Sequence, residues 1–312
     1  MSDATVRTDE AKALDELTIR LRTLLPEEYQ SSYEALEPTP MRSAGLKYAA
    51  DGAVAWDKIW GSFCDLAMAG GPPHKGALLE PGARHEVESK CSRYDEVVEE
   101  ICRGIIMASE LPAGRSPNPG WVRVSCHGPA MADWLLRAIT MENVAVRRDG
   151  LSLDLPAAPH FRLEKEIKNV VTVIAKTCHY WMGHMPRTQK EAIAILFASM
   201  AAESPLIEPE WPSGEAPPSA HDDLRARIAD GIHRATGLAA THHRYAGWIG
   251  VTCPSIRAAV WLMRAAVASN VLARREETTL FVPVNSVSDG DGDVVVRAVA
   301  RVYRLAAVAG VV

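Results

Sequence analysis

Apolar residues recur along the chain at two periods, and each pattern occurs twice. Val97, Ile101, Ile105 and Ala108 fall at helical spacing on one face, and Leu224, Ile228, Ile232 and Ala235 do the same further on. Val122, Val124 and Cys126 then alternate with Arg123 and Ser125, the period of a half-buried strand, and Ile249, Val251 and Cys253 repeat it. A helix follows each strand, turning Trp134, Leu135 and Ala138 inward in one case and Trp261, Leu262 and Ala265 in the other. Next comes a hairpin: Val144 and Val146 lead to a tight turn at Asp149-Gly150, and Leu151, Leu153 and Leu155 return. The second hairpin has Glu276-Glu277 at that place, which predicts a longer loop. A closing helix carries Leu163, Ile167, Val170, Ile174, Cys178 and Trp181 on one stripe, and its counterpart starts near Asp293 with Val295, Val299 and Val302.

The two series are copies. A shift of 127 residues lays Ile101–Pro156 on Ile228–Pro283 without a gap, so that GWVRVSC meets GWIGVTC, ADWLLRA meets AVWLMRA and NVAVRR meets NVLARR. Strand, helix, hairpin and helix make up most of a ferredoxin-like plait. The predicted fold class is therefore α+β: two diverged tandem ferredoxin-like modules, with an additional N-terminal hairpin and helices. That hairpin is read in Leu46–Tyr48, the turn Asp51-Gly52 and Val54–Trp56, feeding a helix with Ile59, Phe63 and Leu66 inward. The expected division is an N-terminal helix and extended lead-in over 1–40, a first module over 41–203, a Pro-rich linker over 204–220 and a second module over 221–312. Leu111–Gly120 reads as a shorter loop of the same kind, and Ala192–Ala202 as a core helix.

Composition narrows the setting. With 34 basic and 39 acidic residues among 312, the formal charge is −5, and no basic patch points to nucleic acid or to a membrane surface. The first residues, MSDATVRTDEAKALDE, lack the basic and apolar regions of a secretory signal. Six widely spaced cysteines (64, 91, 102, 126, 178 and 253) then read as reduced thiols in a cytoplasmic protein.

Features kept in both copies, such as Trp121/Trp248 and Cys126/Cys253, are most simply architectural. The chemistry is expected where the copies differ. One such place is the helix exit Gly70-Gly71-Pro72-Pro73-His74-Lys75-Gly76, whose stiff backbone presents an imidazole beside an ammonium. The other is Cys178-His179-Tyr180-Trp181-Met182-Gly183-His184-Met185-Pro186-Arg187, with a thiol, two imidazoles and a guanidinium within ten residues. His74, His184 and Cys64 are the candidate catalytic residues; Lys75, Arg187 and Trp60 are the candidate ligand-binding residues. Cys178, His179 and His184 have the atoms for a transition metal such as zinc or iron, although no C-x-x-C or H-x-x-x-H spacing is present. Asp289, Asp291 and Asp293 begin like a calcium loop, but Ala300 stands where its bidentate glutamate belongs, so they read as a turn and helix cap. There is no G-x-G-x-x-G, Walker loop or G-x-S-x-G. The expected function is that of an enzyme or enzyme accessory acting on a small anionic or metal-linked metabolite in a cleft between the modules. The alternative is a non-catalytic small-molecule-binding or scaffold protein, with an oligomer or protein partner allowed by either.

Overall fold

The structure, a computed structural model, describes residues 3–27, 30, 45–59, 76–211 and 218–312. The chain divides into two compact units. Pro38–Lys190 forms a central unit, and Met1–Glu37 together with Glu191–Val312 forms a terminal unit.

The central unit opens on the predicted N-terminal hairpin: Tyr48 pairs with Val54, and Gly52 turns the chain at φ 84°. A 3-10 turn, Trp56–Ile59, follows. Trp56 is fully buried and donates from Nε1 to Glu100 at 2.8 Å, which fastens the hairpin to the first long helix. After a short α2 (Arg84–Ser89), that helix is α3 (Cys91–Ser109); then come β1 (Ala113–Arg115), β2 (Trp121–Ser125), α4 (Pro129–Met141), β3 (Arg147–Asp149), β4 (Ser152–Pro156) and α5 (Lys168–His179). The sheet is antiparallel, in the order β1-β2-β4-β3.

The terminal unit holds α1 (Asp3–Leu24) and most of α6 (Arg187–Glu203), within which the division falls. Its copy of the module is α7 (Pro218–Thr236), β5 (Ala240–Tyr245), β6 (Trp248–Thr252), α8 (Ile256–Val267), β7 (Arg274–Glu276), β8 (Thr279–Pro283) and α9 (Asp293–Val308). The sheet order β5-β6-β8-β7 repeats the first. Trp121 pairs with Pro156 and Trp248 with Pro283 in the same register. The 127-residue shift therefore holds from helix start to hairpin end.

Several sequence expectations change. The stretch 111–120 is not only loop: Ala113–Arg115 is an edge strand, and its copy takes in His242 and His243. Prolines at 112 and 117 had hidden it, and edge positions tolerate them. The second hairpin is no longer than the first. Glu277 sits where Gly150 does, and takes the left-handed backbone, φ 49° against 61°. The Pro-rich stretch after α6 is also not a bare spacer. Ile207 bridges to Val271, and Glu210 donates to the Val284 carbonyl at 3.0 Å. Leu79 bridges Val144 and Gly82 donates to Ala157 in the same way, so LLEPG (78–82) and LIEPE (206–210) are one element at a shift of 128. In each unit an asparagine holds this strap. Asn143 and Asn270, both left-handed, donate side-chain N–H to the carbonyls of Gly76 and Ser204. Helix α6 buries Ile193, Phe197 and Met200 but leaves Ile195 72% exposed, so it is one-sided rather than a core helix.

Each first long helix carries a glycine where the closing helix crosses it. A Cβ on Gly104 would stand 2.6 Å from Val171 Cγ2, and one on Gly231 would stand 2.7 Å from Val296 Cγ2. Two of the three aspartates cap the helix that Asp293 begins: Asp289 accepts from the amides of Val294 and Val295 at 3.0 Å, and Asp291 from that of Asp293. No helix among the described residues is long and apolar enough to cross a membrane.

The copies also differ on one sheet face. In the central unit, buried Asp154 accepts from Arg123 Nε at 2.8 Å and Arg147 NH2 at 2.9 Å, and Arg147 stacks over Trp121 at 4.7 Å. In the terminal unit, positions 123 and 154 have become Gly250 and Phe281. Phe281 takes the space that an arginine at 250 would need, since even a Cβ there would come within 2.9 Å of its ring. Arg274, equivalent to Arg147, is fully buried between Phe281 (3.9 Å) and Tyr245 (4.3 Å) and pairs with Glu276 at 2.6 Å.

Candidate functional site

The end of α5 is where the sequence concentrates polar chemistry, and its backbone is irregular there. The helix passes at Tyr180–His184 into a π-helical turn. In a regular α-helix, residues five apart point about 140° away from each other. A turn closed by i→i+5 bonds brings them round to one side. His179 and His184 are five apart, and their Nε2 atoms lie 2.9 Å from each other, with ring centroids 4.6 Å apart and planes at 78°. Both rings are half-buried. At that separation at most one of the two Nε2 atoms can carry a proton.

The surroundings are charged and aromatic. One turn before, buried Lys176 pairs with Glu142 at 2.8 Å, their side chains being 4% and 10% exposed. The Lys176 ammonium also stands 5.9 Å from the Tyr180 ring, at the limit of a cation–π contact. Tyr180 lies 6.1 Å from His184 between ring centroids. On the other side Trp181 packs on Trp134 at 5.9 Å and receives Lys190 over its ring at 5.9 Å. Glu142 caps the end of α4, and its neighbour Asn143 holds Gly76, the last residue of the PPHKG segment and its only described one.

The structure brings together His179 and His184 of the predicted residues, with Arg187 exposed at the start of α6. It does not bring Cys178 to them. Cys178 lies on the apolar stripe, fully buried, where burial drives its thiol far above the ordinary range despite a hydrogen bond to Ser109. Burial of that kind holds the thiol in its neutral form. Among the described residues no group of three or more His, Cys, Asp or Glu side chains could hold a metal ion, so the Cys178-His179-His184 triad does not assemble. His74, Lys75, Cys64 and Trp60 lie outside the described residues. Cys126 and Cys253, at matched strand ends, are both pushed up to about 12 by burial, which fits packing rather than reactivity.

Lys176, Glu142 and Tyr180 were missed in the sequence. A signal for the first was present: a lysine inside VVTVIAKTCHYW is a charge in a buried run, and such a charge needs a partner. The partner, 34 residues away on another helix, could not be read from spacing. The matching end of α9 carries Arg301, Tyr303, Arg304 and Leu305 and no histidine, so the imidazole pair belongs to one copy only. Comparison with known proteins found no matching protein family, no similar curated protein and no similar solved structure.

Proposed function

We propose that this protein is an enzyme, or an accessory to one, that binds a small anionic or metal-linked metabolite at the end of α5. The observation that carries the reading is the His179–His184 contact of 2.9 Å, made by an irregular turn present in one copy of the module and not in the other. In this reading His184, backed by His179, gives and takes the proton, and Arg187 holds the anionic group. Lys176, neutralised by Glu142, keeps the neighbourhood close to electrically balanced. His74 and Lys75 are the second acid–base and anion-holding pair. The hydrogen bond from Asn143 to Gly76 supports this, because it ties the exit of their segment to the residue after Glu142. We take each module to be a plait of the ferredoxin-like kind with its fourth strand supplied from the N-terminal side. The setting is taken to be the cytoplasm.

The test is ligand-induced stabilisation of the full chain by inorganic phosphate and small di- and tricarboxylates. A ligand at 100 times its Kd raises stability by about 2.7 kcal/mol, which a melting curve reads directly. At least one anion should raise the Tm of the wild type and not that of His184→Ala or Arg187→Ala. Equal responses in all three proteins, or none in any, would refute the site.

A further inference from the structure

We infer that His179 and His184 form a two-imidazole chelate for a divalent transition-metal ion, without Cys178. The inference rests on the same imidazole pair as the proposed function but needs no reaction. It stands first on geometry. A metal about 2.0–2.1 Å from each Nε2 would subtend about 90° across the observed 2.9 Å, and would set the ring centroids about 4.5 Å apart. The observed centroid separation is 4.6 Å. Two rings joined by a straight N–H···N bond would stand further apart, so the nitrogen axes are bent off the line between them. An angle near 90° is that of tetragonal copper(II) or nickel(II). Zinc(II) needs the nitrogens to open to about 3.4 Å for its tetrahedral angle.

The second observation is the turn itself. A π-helical turn is less favourable than the α-helix it interrupts, and such turns gather at functional sites. Here it brings together two side chains that a continuous α-helix would hold apart, and α9, the equivalent helix, does without one. The chelate uses neutral imidazoles with their protons on Nδ1, the usual form for Nε2 ligation. Lys176, buried one turn before the pair, is itself paired with Glu142, which lessens its repulsion of an incoming ion. Two protein ligands leave the remaining coordination positions to water or to an anionic ligand.

The test uses the full chain, stripped with a chelator and free of any affinity tag. It is titrated with nickel(II) by calorimetry and with copper(II) by electron paramagnetic resonance. We expect one equivalent, a copper spectrum split by two nitrogen donors, and a loss of affinity of about tenfold or more in His179→Ala and in His184→Ala. Cys178→Ser should leave the nitrogen splitting unchanged. Binding undiminished in both histidine variants overturns the chelate, as does a copper spectrum without two nitrogens in the wild type, which needs no variant to fold. Anion binding lost in His184→Ala without any uptake of metal overturns the chelate while leaving the acid–base reading in place.

Discussion

Asp154 shows what a single buried charge contributes. Burial alone would raise its carboxyl, but hydrogen bonds from Arg123 and Arg147 outweigh that and hold it below the ordinary range. A carboxylate depressed in the folded state stabilises fully above its unfolded pKa of about 3.9, and that contribution is lost as pH falls toward the folded value. Asp154→Asn should therefore cost about 2–3 kcal/mol at neutral pH and flatten the acid limb of the stability curve, measured by urea melts from neutral to acidic pH. The figure lies below that for a fully enclosed pair because both guanidiniums stay about one-quarter exposed. Glu277 poses the opposite case. It occupies a left-handed position that its copy fills with Gly150, a strain of about 1 kcal/mol for a residue with a Cβ. Glu277→Gly should stabilise by about 0.5 kcal/mol, part of the relief being offset by a more flexible unfolded chain. A lower melting temperature would show that the glutamate side chain makes up for its backbone.

At the scale of elements, Gly104 is the residue to change. Alanine would improve the intrinsic helix propensity of α3 by about 1 kcal/mol, but its Cβ would meet the stiff, fully buried Val171 at 2.6 Å and Trp56 at 3.1 Å. Overpacking of that kind costs about 1–3 kcal/mol, so Gly104→Ala should lower stability on balance, and Gly104→Ala/Val171→Ala should recover part of the loss. A stabilised single variant would mean that α5 shifts freely over α3. Periodicity made most elements legible, because a helix or half-buried strand must place apolar residues at its own period. The edge strands β1 and β5 escaped it. Ala-Gly-Arg is too short and too polar to alternate, and Ala-Thr-His-His-Arg-Tyr carries no apolar stripe. The candidate site was half legible. His179, His184 and Arg187 could be named from their crowding, but no α-helical period predicts that residues five apart will touch. Cys178 misled for a related reason, since it shares the segment and not the face.

For the whole molecule, the division of the chain has a consequence for truncation. Pro38–Lys190 is continuous, whereas the other unit needs residues from both ends, with Leu17 and Leu21 of α1 buried in it. A fragment of residues 38–190 should melt cooperatively, while a chain lacking residues 1–27 should lose stability only in the remainder, as hydrogen exchange would show. The five described cysteines are all free, and Cys102, Cys126, Cys178 and Cys253 are buried. A thiol reagent should find Cys91 quickly in the native protein, release those four only on denaturation, and count six in all. A count of two or fewer after denaturation would overturn the reduced state. The two copies also keep step at 127 residues through their helices and sheets but at 128 in the straps before them. The one-residue difference in length therefore falls between Gly82 and Cys91 in one copy and between Glu210 and Pro218 in the other. Everything on either side kept its register through that change. This stretch is thus the natural port for engineering: a short peptide label inserted between Gly82 and Arg84 should be carried without disturbing the sheet, where the same insert between β2 and α4 would not.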